Sequence, residues 1–181
     1  FQRTPQYSIP AGNRPVKPEE LAEARESFAQ RKEFMAVSPL GMPYPMSEKS
    51  ALDDPPEVRN ALYEELWQDG GLHMLFNSYN DLLVNKEAND TLCEFIRGKI
   101  RSTVKDPATV EKLLPDYILA TKRQAIDDGY FETYNRDNVT LVDLRDDPIE
   151  RITADGIITK SGEHKLDMLV LATGYDAITG K

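Results

Sequence analysis

From about Arg14 to Leu114 the apolar residues recur at helical intervals, whereas from about Pro115 onward they fall into short runs of strand character. Prolines and glycines divide the helical stretch. Pro18 with Leu21, Ala24, Phe28 and Met35 suggests a first helix with an imperfect stripe. Pro39, Pro43 and Pro45 then remove N–H donors that a continued helix would need, which predicts a loop. Asp54-Pro55-Pro56-Glu57 predicts a helix entry, with Asp54 as the cap, Pro55 at the first helical position and Glu57 reaching back. Val58, Leu62 and Leu66 share a face of that helix until Gly70-Gly71 ends it. Leu72, Leu75, Phe76, Tyr79, Leu82 and Leu83 form the strongest helical stripe in the chain. Leu92, Phe95, Ile96, Ile100 and Thr103 repeat the pattern, and Asp106-Pro107 opens a short last helix through Val110, Leu113 and Leu114. Such stripes must be buried against one another or against a neighbouring domain.

The last third changes period. Val139 to Val142 and Ile149 to Thr153 read as strands, and Ala154-Asp155-Gly156 as a hairpin turn into Ile157-Ile158-Thr159, with Ser161-Gly162 as the next turn. Met168-Leu169-Val170-Leu171-Ala172 is a continuous apolar run, the pattern of a strand covered on both faces in an α/β sheet. It leads into Thr173-Gly174, and ligands of open α/β sheets sit beyond the carboxyl ends of strands. The fold class expected is α+β: a helical domain followed by a β-rich segment.

Composition narrows this picture. The chain has 181 residues, 40% apolar and 29% charged, which is ordinary for a globular protein. A net charge of −9 excludes a nucleic-acid surface of clustered cations but leaves room for a local basic pocket. One cysteine, Cys93, excludes an internal disulfide framework and fits a reducing, cytoplasmic setting. No apolar run approaches the length of a membrane span. The chain opens on Phe1-Gln2-Arg3 without an initiator Met, so it is expected to be a piece of something longer.

Three segments carry candidate chemistry. Phe1-Gln2-Arg3-Thr4-Pro5 is, taken alone, an exposed Arg beside a strand end. Thr121-Lys122-Arg123 places two adjacent cations just past the helical block, where they could bind phosphate or simply be solvated. Asp167 to Asp176, a buried strand ending in Ala-Thr-Gly, is the least generic of the three.

In this order the segments resemble the type I Baeyer–Villiger monooxygenases. In that family a Phe-Gln-Arg-Thr-Pro segment closes the first part of an NADP domain, a helical insertion follows, and the chain re-enters at a Lys-Arg pair. The later motifs stand here as Gly129-Tyr130-Phe131-Glu132-Thr133-Tyr134-Asn135-Arg136-Asp137-Asn138-Val139 and Ala172-Thr173-Gly174-Tyr175-Asp176-Ala177. The resemblance implies residues 1–13 as the end of the first NADP-domain segment, 14–116 as the helical insertion, 117–172 as the returning segment of a Rossmann-like NADP domain, and 173–181 as the start of the crossover to an FAD domain.

It further implies a parent enzyme that uses FAD, NADPH and O₂ to insert one oxygen atom beside a ketone carbonyl through a C4a-peroxyflavin. Arg3 and Lys122 would hold the 2′-phosphate of NADPH, a guanidinium fork plus a mobile ammonium being well matched to a dianion. Thr4 could add a hydroxyl donor, and Thr173 and Gly174 would lie near the dinucleotide sites. Arg123 resembles the family's active-site arginine, whose permanent charge can stabilise the peroxyflavin anion and the adduct that follows.

Two departures bear on this reading. Family members commonly have a Pro and a Gly shortly before the Lys-Arg pair, where this chain has Ile118 and Ala120, and Ala resists the positive φ that Gly accepts. The chain also lacks any Gly-x-Gly-x-x-Gly, so it has no platform for either pyrophosphate, and the isolated polypeptide is expected to bind neither cofactor tightly and to have no turnover. The ketone itself is not specified by these residues. Cys93 reads as a core thiol, and His73 and His164 lack ligand company for a metal. Trp67 reads as core or interface, and Glu64-Glu65 and Asp146-Asp147 as solvated charge. The rival readings are another flavin monooxygenase acting on nitrogen or sulfur, and a non-catalytic helical interaction module.

Overall fold

A computed structural model describes residues 1–38 and 41–172. The elements run β1 (Ser8–Pro10), α1 (Pro18–Glu26), α2 (Phe28–Val37), α3 (Pro56–Asp69), α4 (His73–Phe76), α5 (Lys86–Thr103), α6 (Pro107–Leu113), β2 (Ala125–Asp127), α7 (Tyr130–Thr133), β3 (Ile149–Ile152), β4 (Gly156–Thr159) and β5 (Gly162–Lys165). Helix and sheet are both present, as the sequence implies. The chain divides into two compact units, one of Thr4–Thr140 and one of Phe1–Arg3 with the residues from Leu141 onward.

The helical unit is built around α5. Asn85 caps it, its side-chain oxygen accepting from the amides of Glu87 at 3.0 Å and Ala88 at 3.4 Å. Leu92, Ile96 and Ile100 recur every fourth residue, share one face and are completely buried. Each such side chain contributes about 1.5–3 kcal/mol by leaving water. They pack in a core with Tyr63 of α3, Met74 of α4, Tyr79 and Leu82. The Tyr63 ring meets Tyr79 edge-on at 5.8 Å, and its hydroxyl bonds Thr91 at 2.8 Å. Asp106 caps α6 by accepting from the Thr109 amide at 2.9 Å, as its position before Pro107 predicts.

Elsewhere local hydrogen bonding overrides the apolar spacing. The first stripe is two helices, broken at Ser27, whose hydroxyl donates back to the Glu23 carbonyl at 2.8 Å. Neither helix buries a residue. Asp54 does not cap α3. Its carboxylate accepts from Tyr79 and Lys49, Pro55 occupies the cap position and Pro56 is the first helical residue. The buried residue of α3 is Tyr63, while Val58 is exposed. The strongest stripe forms only the single turn of α4. Past it, the Ser78 hydroxyl bonds the Met74 carbonyl, and the Asp81 carboxylate accepts from Ser50 and the Ala51 amide. The Asn80 amide donates to Lys49 rather than to a helical neighbour. Leu75, Phe76, Tyr79 and Leu82 are nevertheless buried, and Leu83 is not.

Two short strands were not legible in the sequence. β1 and β2 pair in parallel, with Ser8 opposite Ala125, Ile9 opposite Ile126 and Pro10 opposite Asp127. Parallel neighbours need a crossover connection, and here α1 to α6 supply it. The end of α3 closes on the exit of β1, where Gly70 and Gly12 both take positive φ. A Cβ on Gly70 would lie 2.6 Å from the Gly12 nitrogen, so only glycine fits this approach.

In the second unit Gln2 bridges Asp143 in parallel, and β3, β4 and β5 form an antiparallel sheet in that order. The two hairpins fall where the turn residues predict. Gly156 is required by contact, since a Cβ there would lie 2.0 Å from the His164 carbonyl oxygen. Asp147 is not simply solvated. It accepts from the Ser161 amide and hydroxyl and from Thr159, tying down the β4–β5 turn. Val139 to Val142 forms no strand. Met168 to Ala172 is likewise neither paired nor buried, with Met168 78% exposed, because no described strand lies alongside to accept its ladder.

Candidate functional site

The candidate cations of the helical unit stand on a short bridge between two fixed points. Leu119 is 2% exposed and held from α5 by Asn89, also 2% exposed. The Asn89 side-chain oxygen accepts the Leu119 amide at 3.0 Å, and its nitrogen donates to the Leu119 carbonyl at 3.2 Å and the Leu82 carbonyl at 2.8 Å. Cys93, buried as expected, donates its thiol to the same oxygen at 3.2 Å. Ala120 then takes φ of 68°, the single positive value for a non-glycine among the described residues. The chain turns there, and the Thr121 amide and hydroxyl return to the Ile118 carbonyl at 3.2 and 2.7 Å. Ala120 therefore holds the left-handed conformation that alanine resists.

Lys122 and Arg123 follow, and both are exposed. The Lys122 ammonium lies 4.6 Å from the centre of the Tyr117 ring, a cation–π contact that holds it without neutralising it. On the far side Gln124 donates to the Tyr7 carbonyl, and β2 begins at Ala125.

The floor beneath this bridge is an aromatic and guanidinium network. Arg97 donates from Nε to the Pro115 carbonyl at 2.8 Å and from Nη2 to the Tyr7 hydroxyl at 2.8 Å. The Tyr7 hydroxyl donates in turn to Pro115 at 3.2 Å, and the Tyr7 and Tyr117 rings meet edge-on at 5.1 Å. Burial pushes both phenols up, so they remain neutral hydrogen-bonding groups.

Arg3 belongs to the other unit. There it is exposed and lines, with Phe1, Leu144, Ile157 and Leu169, a depression of about 470 Å³. Thr4 belongs to the helical unit. Thr173 and Gly174 lie outside the described residues. Within the Gly129 to Val139 motif, Gly129 takes φ of 100° to open α7, and Asn135 clips the chain leaving α5 through the Thr103 carbonyl and the Lys105 amide, both at 2.8 Å. Tyr7, Asn89, Arg97 and Gln124 were missed from the sequence, since a network spanning so many residues leaves no local pattern. Asn89, a polar residue on the face of Leu92 and Ile96, was the one available signal.

The chemistry of the donors suits part of a dinucleotide. Exposed Lys and Arg side chains fit a phosphate dianion, whereas the sequence holds no glycine turn for a pyrophosphate or a flavin. Among the described residues no helix is long and apolar enough to cross a membrane.

No family model matches the chain. Full-length comparison identifies the class: the chain is homologous to a segment of the monooxygenases. Over 99% of its length it is 40% identical to a Baeyer-Villiger monooxygenase of Pseudooceanicola batsensis, and equally to the phenazine N-monooxygenase PhzNO1 of Lysobacter antibioticus. An oxidized steroid monooxygenase bound to NADP superposes with a TM-score of 0.93 at 46% identity, covering 99% of this chain and 34% of that one. The chain has homologues at this level of identity that include Baeyer–Villiger and cyclohexanone monooxygenases. It spans about a third of the length of these relatives, 33% of the Pseudooceanicola protein and 34% of the Lysobacter protein.

Proposed function

We propose that the chain is part of a Baeyer–Villiger monooxygenase that uses FAD, NADPH and O₂ to convert a ketone to an ester or lactone. The observation that carries this reading is the exposed Lys122-Arg123 pair, pinned on both sides, in a chain aligned over 99% of its length with such an enzyme. Residues 1–13 and 117–172 then belong to an NADP domain, 14–116 to a helical insertion and 173–181 to the crossover toward an FAD domain. The parallel pairing of β1 with β2 supports this, because it joins the first segment to the returning one across the helices.

In this arrangement Arg3, Thr4 and Lys122 bind the 2′-phosphate of NADPH, and Thr173 and Gly174 lie near the dinucleotides. Flavin, when bound, supplies the oxygen chemistry, and residues of the parent outside this chain hold it. Arg123 places a permanent positive charge where negative charge develops on the reacting oxygens. The partners are a ketone, O₂ and the remaining domains of the parent. The location is cytoplasmic, a reading supported by the one free, buried thiol of Cys93.

In the flavin-loaded parent, Arg123→Ala should abolish ester formation while hydride transfer from NADPH continues. Unchanged ester formation contradicts the role given to Arg123. A second reading, oxygenation of nitrogen, is favoured by the equal identity to PhzNO1. Product analysis with a ketone and with an aromatic N-heterocycle distinguishes them.

A further inference from the structure

We propose that Asn89 is a positioning residue for the Lys122-Arg123 pair, acting through the backbone of Leu119; this rests on the reading of Lys122 as a phosphate-binding cation. Asn89 sits within α5 on the face that carries Leu92 and Ile96, where an apolar residue would extend the core. Asn is a mediocre helix former, and a buried amide is costly unless every donor and acceptor is used. Here they are all used: the two N–H groups go to Leu82 and Leu119, and the oxygen accepts from Leu119 and Cys93.

Two of these bonds grip the N–H and the C=O of the same residue. A single bond would fix where Leu119 lies, whereas the pair also fixes the direction in which the chain leaves it. That direction matters because the next residue, Ala120, holds a left-handed conformation that alanine does not favour. Strained backbone persists where its surroundings over-determine it. The over-determining contacts are Asn89 on one side of the turn and the Gln124–Tyr7 bond with β2 on the other. Released at Leu119, Ala120 is free to relax toward ordinary helical φ, which swings Lys122 off Tyr117 and redirects Arg123.

The test uses the flavin-loaded full-length enzyme with NADPH and NADH, cofactors that differ only at the 2′-phosphate. Asn89→Ala and the near-isosteric Asn89→Asp should lower the NADPH-over-NADH ratio of kcat/KM by about tenfold, through the KM for NADPH. The dissociation constant of NADP⁺, read from flavin fluorescence, should rise in step, while KM for NADH and FAD content hold. Tyr63→Phe, which removes a bond to Thr91 on the same helix, should lower the melting temperature and leave the ratio unchanged. If Lys122→Ala lowers the ratio and the Asn89 variants do not, the positioning role is wrong and the phosphate reading stands. If Lys122→Ala also leaves it unchanged, the phosphate reading is wrong and the role of Asn89 falls with it. Equal losses for both nucleotides, with no change in their ratio, overturn the role toward Lys122. Should neither Asn89 variant fold, hydrogen exchange in the unaltered protein decides: a Leu119 amide as slow as that of Ile96 supports the clamp, and a fast one overturns it.

Discussion

The helical unit closes on a core of its own, and the β unit does not. In the first, Leu92, Ile96, Ile100 and Tyr63 are completely buried, and the loops around them are tied by polar side chains. In the second, Ile157 and Val142 are the buried aliphatic residues, while Ile152 is 59% exposed and Val170 76%. Both units draw on comparable apolar sequence. Among the described residues, what separates them is how much neighbouring structure covers it. The homology to about a third of a longer enzyme gives that difference its meaning.

This contrast can be broken by mutation. Ile96→Ala should cost about 3 kcal/mol of unfolding free energy in denaturant titration, because it opens a cavity in a closed core. Val170→Ala, by contrast, should change it by less than about 0.5 kcal/mol, as at other exposed sites. Equal effects would erase the distinction between the units. Gly156→Ala should destabilise the β4–β5 hairpin by about 2 kcal/mol, read as faster amide exchange there and unchanged exchange in α5. Asn85→Ala should cost about 1 kcal/mol through loss of the α5 cap, visible in the same titration.

Smaller effects sharpen the account of the loop. Ala120→Gly relieves the left-handed strain but adds freedom to the unfolded chain, so the net gain should be only about 0.5 kcal/mol. A loss would mean that the turn is not strained. The pH dependence follows from carboxylates held below their usual range: Asp54 by the Tyr79 hydroxyl, Asp106 by Thr109 and Asp147 by Ser161. Their stabilisation is fully present above the ordinary carboxylate pKa of about 4 and is lost as pH falls through the lowered values. Melting temperature should therefore fall with acidification below that point, and Asp147→Asn should flatten part of the fall.

The sequence could be read where a local signal had no local competitor. Periodicity placed α5, the Asp106-Pro107 pair placed the start of α6, and turn residues placed both hairpins. The stripe from Leu72 to Leu83 misled because the Ser78 hydroxyl takes the Met74 carbonyl and the Asn80 amide donates to Lys49. β1 and β2 have three residues each, too few to show a period, and their pairing joins Ser8 to Ala125. Of the site, Lys122 and Arg123 stood out as adjacent cations, whereas the left-handed φ of Ala120 runs against what alanine favours. Their anchors did not stand out, since Asn89, Tyr7 and Gln124 act through contacts far apart in the chain.

The proposed role of Lys122 is to meet a 2′-phosphate. Its most direct test is the affinity of NADP⁺ and NAD⁺ for the flavin-loaded full-length enzyme, with and without Lys122→Ala. NADP⁺ binding should weaken by about tenfold or more and NAD⁺ binding stay unchanged, as expected when one charge-assisted contact is lost. Equal affinities for NADP⁺ before and after the substitution would contradict it.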